Sequence, residues 1–198
     1  MNVCIFGDSI TWGGYDPENG GWATILRNHL EKDCDDVNVY NLGICSDNSS
    51  GVLKRLVLES TPRQPEIIII AIGANDVKHQ PNQEIDFGRF EENIKLISTQ
   101  AEKIARKVIF LSITPVDESL TTPRNKPPYN YRENKDIDKC NQILRTFAGK
   151  HNFKFIPMPK NFGASDLADG LHPNTAGHQK IFNTLRPVVY DLISSNCW

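Results

Sequence analysis

A serine becomes a useful nucleophile only when a base takes its proton, and the base works best when a carboxylate fixes its tautomer. Two short stretches of this chain supply those groups. Gly7-Asp8-Ser9-Ile10-Thr11 puts a serine directly after the apolar run Val3-Cys4-Ile5-Phe6. Asp169-Gly170-Leu171-His172-Pro173 puts an acid three residues before a histidine. Gly170 permits a tight turn there, and Pro173 pushes His172 towards an extended backbone. A chain reversal across Gly170-Leu171 would bring the Asp169 carboxylate beside the imidazole. Acyl transfer also needs donors aimed at the oxyanion of a tetrahedral intermediate. The candidates are the backbone N–H groups of Ser9 and Gly43 and the side-chain amide of Asn75. Each residue has an ordinary reading too. Asp8 and Ser9 can cap a helix, Gly43 can serve a turn, Asn75 an Asx-turn, and Asp169 with His172 a solvated loop.

The remaining histidines are weaker candidates. His29 falls on the rim of an amphipathic helix, His178 inside the last helix and His151 in a turn, the last two expected to be solvated. His79 follows Asn75-Asp76 closely enough to reach the same rim. No ligand set for zinc or magnesium is visible, so no metal is expected. No G-x-x-x-x-G-K-[ST] or G-x-G-x-x-G follows the first strand, so no nucleotide cofactor is expected either.

These groups lie far apart in sequence, and the elements between them must gather them. Apolar runs at the chain start, Val37–Asn41, Glu66–Ile72, Lys107–Ser112 and Phe153–Ile156 read as five strands. Ile67 to Ile70, four isoleucines in a row, indicates a strand covered on both faces, as in parallel sheets. Between the strands, apolar residues recur at helical spacing. Trp22, Ile25, Leu26 and Leu30 form one such stripe; Val52, Leu53, Leu56 and Val57 a second. Phe87, Phe90, Ile94, Ile97, Ala101 and Ile104 form a third, with Glu91–Lys95 and Glu102–Arg106 as i,i+4 pairs on its wet side. Ile137, Cys140, Leu144 and Phe147 form a fourth, and Ile181, Leu185, Val188, Val189 and Leu192 a fifth, which Pro187 is expected to kink or split. Strand–helix alternation without internal repeats or linkers predicts one domain over residues 1–198, a parallel sheet with helices on both faces. Right-handed crossovers put every strand-to-helix loop on one rim, which gathers Ser9, Gly43, Asn75 and the loop after Ile156.

Composition bounds the partners. A net charge of −2 over 198 residues, without a basic cluster, gives no reason to expect nucleic acid or an anionic membrane. The five cysteines are odd in number and scattered, which argues against a disulfide framework and for a reducing compartment. A strand at the second residue leaves no room for a signal peptide, and no apolar run approaches a membrane span. A cytoplasmic location is expected.

The four rim positions, in order, resemble those of the SGNH (GDSL) hydrolases: serine in Gly7-Asp8-Ser9-Ile10, glycine in Asn41-Leu42-Gly43, asparagine in Gly73-Ala74-Asn75-Asp76, histidine in Asp169-Gly170-Leu171-His172-Pro173. The resemblance covers essentially the whole chain. It implies a flavodoxin-like α/β/α sandwich, with Ser9 as nucleophile, His172 as base, Asp169 as its orienter, and Ser9, Gly43 and Asn75 as oxyanion hole. The chain departs from the family pattern at Cys45-Ser46-Asp47, where members often have Ser-Gly-Asp, and at Ile10, which replaces leucine. The implied activity is hydrolysis of a carboxylic ester. The family also includes carbohydrate deacetylases, thioesterases and lysophospholipases; a non-catalytic flavodoxin-like binding module is the reading from another class. The chain shows no long apolar lid, so small soluble esters are expected over long-chain lipids. Trp12 and Tyr15 beside the nucleophile, and Tyr129 and Tyr131 in the proline-rich stretch Pro115–Asn134, are expected to wall the substrate pocket. The alternative for Tyr129 and Tyr131 is that they pin that stretch to the body.

Overall fold

A computed structural model describes residues 1–79, 84–121 and 131–194. Five parallel strands form one sheet: β1 (Asn2–Gly7), β2 (Asn38–Gly43), β3 (Ile67–Ala71), β4 (Lys107–Leu111) and β5 (Lys154–Ile156), in the order β2-β1-β3-β4-β5. This is the flavodoxin-like doubly wound order. The order reverses at β1, the strand that carries Ser9 at its carboxyl end.

Alternation along each strand decides which helices it supports. Cys4, Phe6, Ile68, Ile70, Val108 and Phe110 face one way. They pack on α3 (Ser49–Ser60), α4 (Phe87–Ile104) and α5 (Asn134–Lys150), through Val52, Leu56, Phe90, Ile94, Ile137 and Leu144. Val3, Ile5, Ile67, Ile69 and Ile109 face the other way, onto α2 (Gly21–Asp33) and α6 (Thr175–Ser194), where they meet Trp22, Leu26, Ile181 and Leu185. The four isoleucines of β3 therefore feed both cores, and all four are fully buried. Each such side chain contributes about 1.5–3 kcal/mol by leaving water.

Several local expectations are corrected. Val57 is 42% exposed, because the stripe of α3 is narrower than its apolar content. Lys95 pairs with Glu92 rather than Glu91, and Glu102 pairs with His151 at the end of α5. Pro187 lies inside α6 without splitting it. The packing of the helix's apolar stripe on the sheet outweighs the one backbone hydrogen bond that proline removes. His178 is fully buried rather than solvated. No helix among the described residues is long and apolar enough to cross a membrane.

Candidate active site

The chain turns sharply out of β1. A side chain at Gly7 would collide with Thr11 and with the Ala71 carbonyl, so only glycine lets β1 run this close to the next turn. Asp8 then caps α1 (Ser9–Trp12), its Oδ1 accepting from the Ile10 N–H at 2.9 Å. Asp8 is buried, and burial raises its pKa to about 6. Ser9 opens α1. Its N–H is one of the donors a helix start leaves unpaired, and no hydrogen bond uses it among the described residues.

From the far end of the sequence, Asp169–His172 forms the predicted reversal. Gly170 adopts a positive φ of 86°, and a side chain there would strike Leu120. Asp169 Oδ1 accepts from the backbone N–H of Leu171 at 3.0 Å and of His172 at 2.7 Å, and Oδ2 meets His172 Nδ1 at 2.8 Å. Partial burial alone would raise the Asp169 carboxyl. The hydrogen bonds from the His172 ring and the two N–H groups outweigh it and hold the acid well below the usual carboxylate range. The other ring nitrogen, Nε2, lies 2.9 Å from Ser9 Oγ. Ser9, His172 and Asp169 thus form one continuous chain of hydrogen bonds.

Asn75 stands in the turn after β3. Its amide donates to the Asp47 carbonyl at 2.8 Å, and its Oδ1 accepts from Arg132 Nη2 at 2.7 Å. The turn is tied to the start of α3, where the Ser49 N–H donates to Asp76 Oδ2 at 3.0 Å. Gly43 is a correction. Its N–H donates to Asn41 Oδ1 at 3.0 Å, and a side chain on it would strike the Trp12 N–H. Gly43 therefore serves the close packing of β2 on α1, and its N–H is already satisfied. Three residues on, Ser46 takes a positive φ of 65° in the loop that Asn75 pins, and its N–H forms no hydrogen bond among the described residues.

Trp12 and Tyr15 flank the site and are 58% and 56% exposed. With Pro17 and Gly20 they line an open, mostly apolar depression. The Tyr15 ring stacks on His172 with centroids 4.9 Å apart. The segment behind it is anchored by His178, whose Nδ1 accepts the Trp22 N–H at 3.2 Å. That leaves the Nε2–H to donate to the Gly14 carbonyl at 3.0 Å. Burial lowers the pKa of this imidazole, and Nδ1 must be unprotonated to accept the Trp22 N–H, so the ring is neutral and structural. Tyr131 is buried against His79 rather than lining a pocket, and its hydroxyl donates to Glu133. Tyr129 lies outside the described residues.

Two participants escaped the reading of the sequence. Arg132 follows a stretch without periodicity and belongs to no local motif. Its only sequence signal is a cation set between Tyr131 and Glu133 directly before a helix. His178 had a better one: it precedes Ile181 by three and Leu185 by seven, which places it on the buried stripe of α6.

The profile of the GDSL-like Lipase/Acylhydrolase family matches residues 5–180. Isoamyl acetate-hydrolyzing esterase 1 homolog of Homo sapiens is 24% identical over 217 aligned positions, covering 98% of this chain and 83% of that protein. Esterase TesA of Pseudomonas aeruginosa is 24% identical over 200 positions, covering 98% and 90%. Among solved structures, Axe2, an acetylxylan esterase from Geobacillus stearothermophilus, superposes with a TM-score of 0.75 at 19% identity, covering 94% of this chain and 93% of the other.

Proposed function

Because the chain belongs to the GDSL-like lipase/acylhydrolase family and is a carboxylic ester hydrolase, we propose that it cleaves small soluble esters through an acyl-enzyme on Ser9. The observation that carries this is the continuous relay from Ser9 Oγ to His172 Nε2, and from His172 Nδ1 to Asp169 Oδ2, at 2.9 and 2.8 Å. Catalytic mutants of Axe2 bear changes at a serine, an aspartate and a histidine. That is the set proposed here as Ser9, Asp169 and His172.

In the proposed reaction, Ser9 Oγ attacks the ester carbonyl carbon as His172 Nε2 takes the hydroxyl proton. Asp169 holds the proton on Nδ1, which keeps Nε2 free to accept, and its charge stabilises the imidazolium. The oxyanion is met by the Ser9 N–H and by the Asn75 N–H not used by Asp47. The Ser46 N–H takes the place first expected of Gly43. Collapse breaks the carbon–oxygen bond to the alcohol, which leaves with the proton from His172. A water, deprotonated by the same nitrogen, then attacks the acyl-serine and releases the acid and Ser9.

The depression beside Trp12 and Tyr15 suits a short apolar acyl or alcohol group, and its openness to solvent favours soluble substrates. The chain is proposed to act as one catalytic domain. Among the described residues, the thiols Cys4, Cys45 and Cys140 form no disulfide, which suits the reducing cytoplasm proposed as its setting. A fluorophosphonate should label wild-type protein at Ser9, and Ser9→Ala should lose labelling together with about four orders of magnitude or more in kcat on p-nitrophenyl acetate. Substantial turnover by purified Ser9→Ala would overturn the assignment.

A further inference from the structure

Arg132 is the least expected charge in the molecule. It is 2% exposed, and burial, the largest influence on it, lowers its pKa only to about 10, so it carries its charge at neutral pH. Guanidinium has only donors and cannot accept a hydrogen bond. One donor, Nε, meets the carbonyl of Ala74, and Nη2 meets Oδ1 of Asn75 at 2.7 Å. These contacts grip residues 74 and 75 together, a backbone carbonyl and the next side chain.

The consequence for Asn75 is orientational. A carboxamide can present either its oxygen or its NH2 to a neighbour, and its environment must choose. Arg132 can face only the oxygen. The Asp47 carbonyl, 2.8 Å from Nδ2, can face only the NH2. Both ends therefore agree, one amide hydrogen is occupied by Asp47, and the second is fixed in direction. Donation from a cation to Oδ1 also draws electrons from the amide nitrogen, which strengthens the remaining N–H as a donor. We infer that Arg132 is a positioning residue for ester hydrolysis: it locks Asn75 with an N–H towards the oxyanion and polarises that N–H, without touching substrate. This assignment rests on the reading of Asn75 as an oxyanion donor.

The test is a double-mutant cycle on kcat for p-nitrophenyl acetate, with KM measured alongside and folding checked by circular dichroism melting. Asn75→Ala should lower kcat by about a hundredfold, with KM changing less than threefold. Arg132→Met should lower kcat by roughly thirtyfold, again with KM little changed, since a charge-assisted hydrogen bond to the donor is lost. The double variant should lie within about threefold of Asn75→Ala, because residues acting through one group do not add. If Arg132→Met does not fold, Arg132→Lys takes its place in the cycle. It keeps the charge but cannot grip two acceptors with a planar fork, and it should cost about tenfold in the wild type and almost nothing beside Asn75→Ala. Wild-type kcat in the arginine variant used, or losses that multiply in the double, would overturn the role of Arg132 alone. Wild-type kcat in Asn75→Ala would overturn the oxyanion reading beneath it.

Discussion

Replacing Asp169 by asparagine should damage the enzyme more than replacing it by alanine. Asp169 Oδ1 accepts two backbone N–H groups, those of Leu171 and His172, at 3.0 and 2.7 Å. Both partners are donors, so an asparagine in this turn must turn its carbonyl oxygen towards them. Its NH2 then lies where Oδ2 now meets His172 Nδ1 at 2.8 Å. A donor in that place makes Nδ1 the acceptor and moves the ring proton to Nε2, the nitrogen 2.9 Å from Ser9 Oγ. Nε2 can no longer take the serine proton, and the imidazolium loses its counter-charge. The combined loss expected of a wrong tautomer is about 10⁴ in kcat, or roughly 5.5 kcal/mol of barrier. Alanine removes the counter-charge but imposes no tautomer, so Asp169→Ala should retain about tenfold more activity than Asp169→Asn. The assay is steady-state hydrolysis of p-nitrophenyl acetate at neutral pH, with melting curves to show that both variants fold. Asp169→Asn activity above about one per cent of wild type, or a ranking with alanine the worse of the two, would refute the tautomer argument.

Two further outcomes follow from the same geometry. Burial raises Asp8 from 3.8 to about 6, so the folded protein holds its proton more tightly than the unfolded chain. That contribution is complete below 3.8 and is lost as pH rises through about 6. Asp8→Asn, whose Oδ1 can still accept the Ile10 N–H, should therefore gain up to about 3 kcal/mol on wild type between pH 4 and pH 8 in urea unfolding, and parallel stability curves would contradict this. Trp12→Ala should shift preference towards longer acyl chains across a p-nitrophenyl ester series; an unchanged profile would place the pocket away from the Trp12–Tyr15 face.

What was legible in the sequence was either local or periodic. The isoleucines of β3 announced a strand covered on both sides because their burial depends only on their own run. The Asp169–His172 turn was legible because acid, glycine and base lie within four residues. Gly43 was misjudged because a peptide's direction is not written in its own residue. The side chain of Asn41, two positions earlier, captures its N–H. Arg132 was invisible because its partners, Ala74 and Asn75, are nearly sixty residues away and share no spacing with it. Tyr131 resisted for a similar reason: an aromatic in a proline-rich stretch fits a pocket wall or an anchor equally well, and only its packing on His79 selects the anchor.

The distance in sequence between Ser9 and His172, 163 residues, has a consequence for how the protein comes into being. On the ribosome Ser9 emerges well before His172, the base proposed for it. Helix α6, which follows the base directly, docks on α2 through the His178 bridge to Trp22 and Gly14. Until that contact closes, the proposed relay lacks its base and Ser9 is an ordinary alcohol. Contacts of such long separation are the slowest to form, because the loop entropy must be given up before they return anything. On the proposed mechanism, hydrolytic competence is thus switched on by the docking of α6, and a chain that lacks this contact carries no active serine.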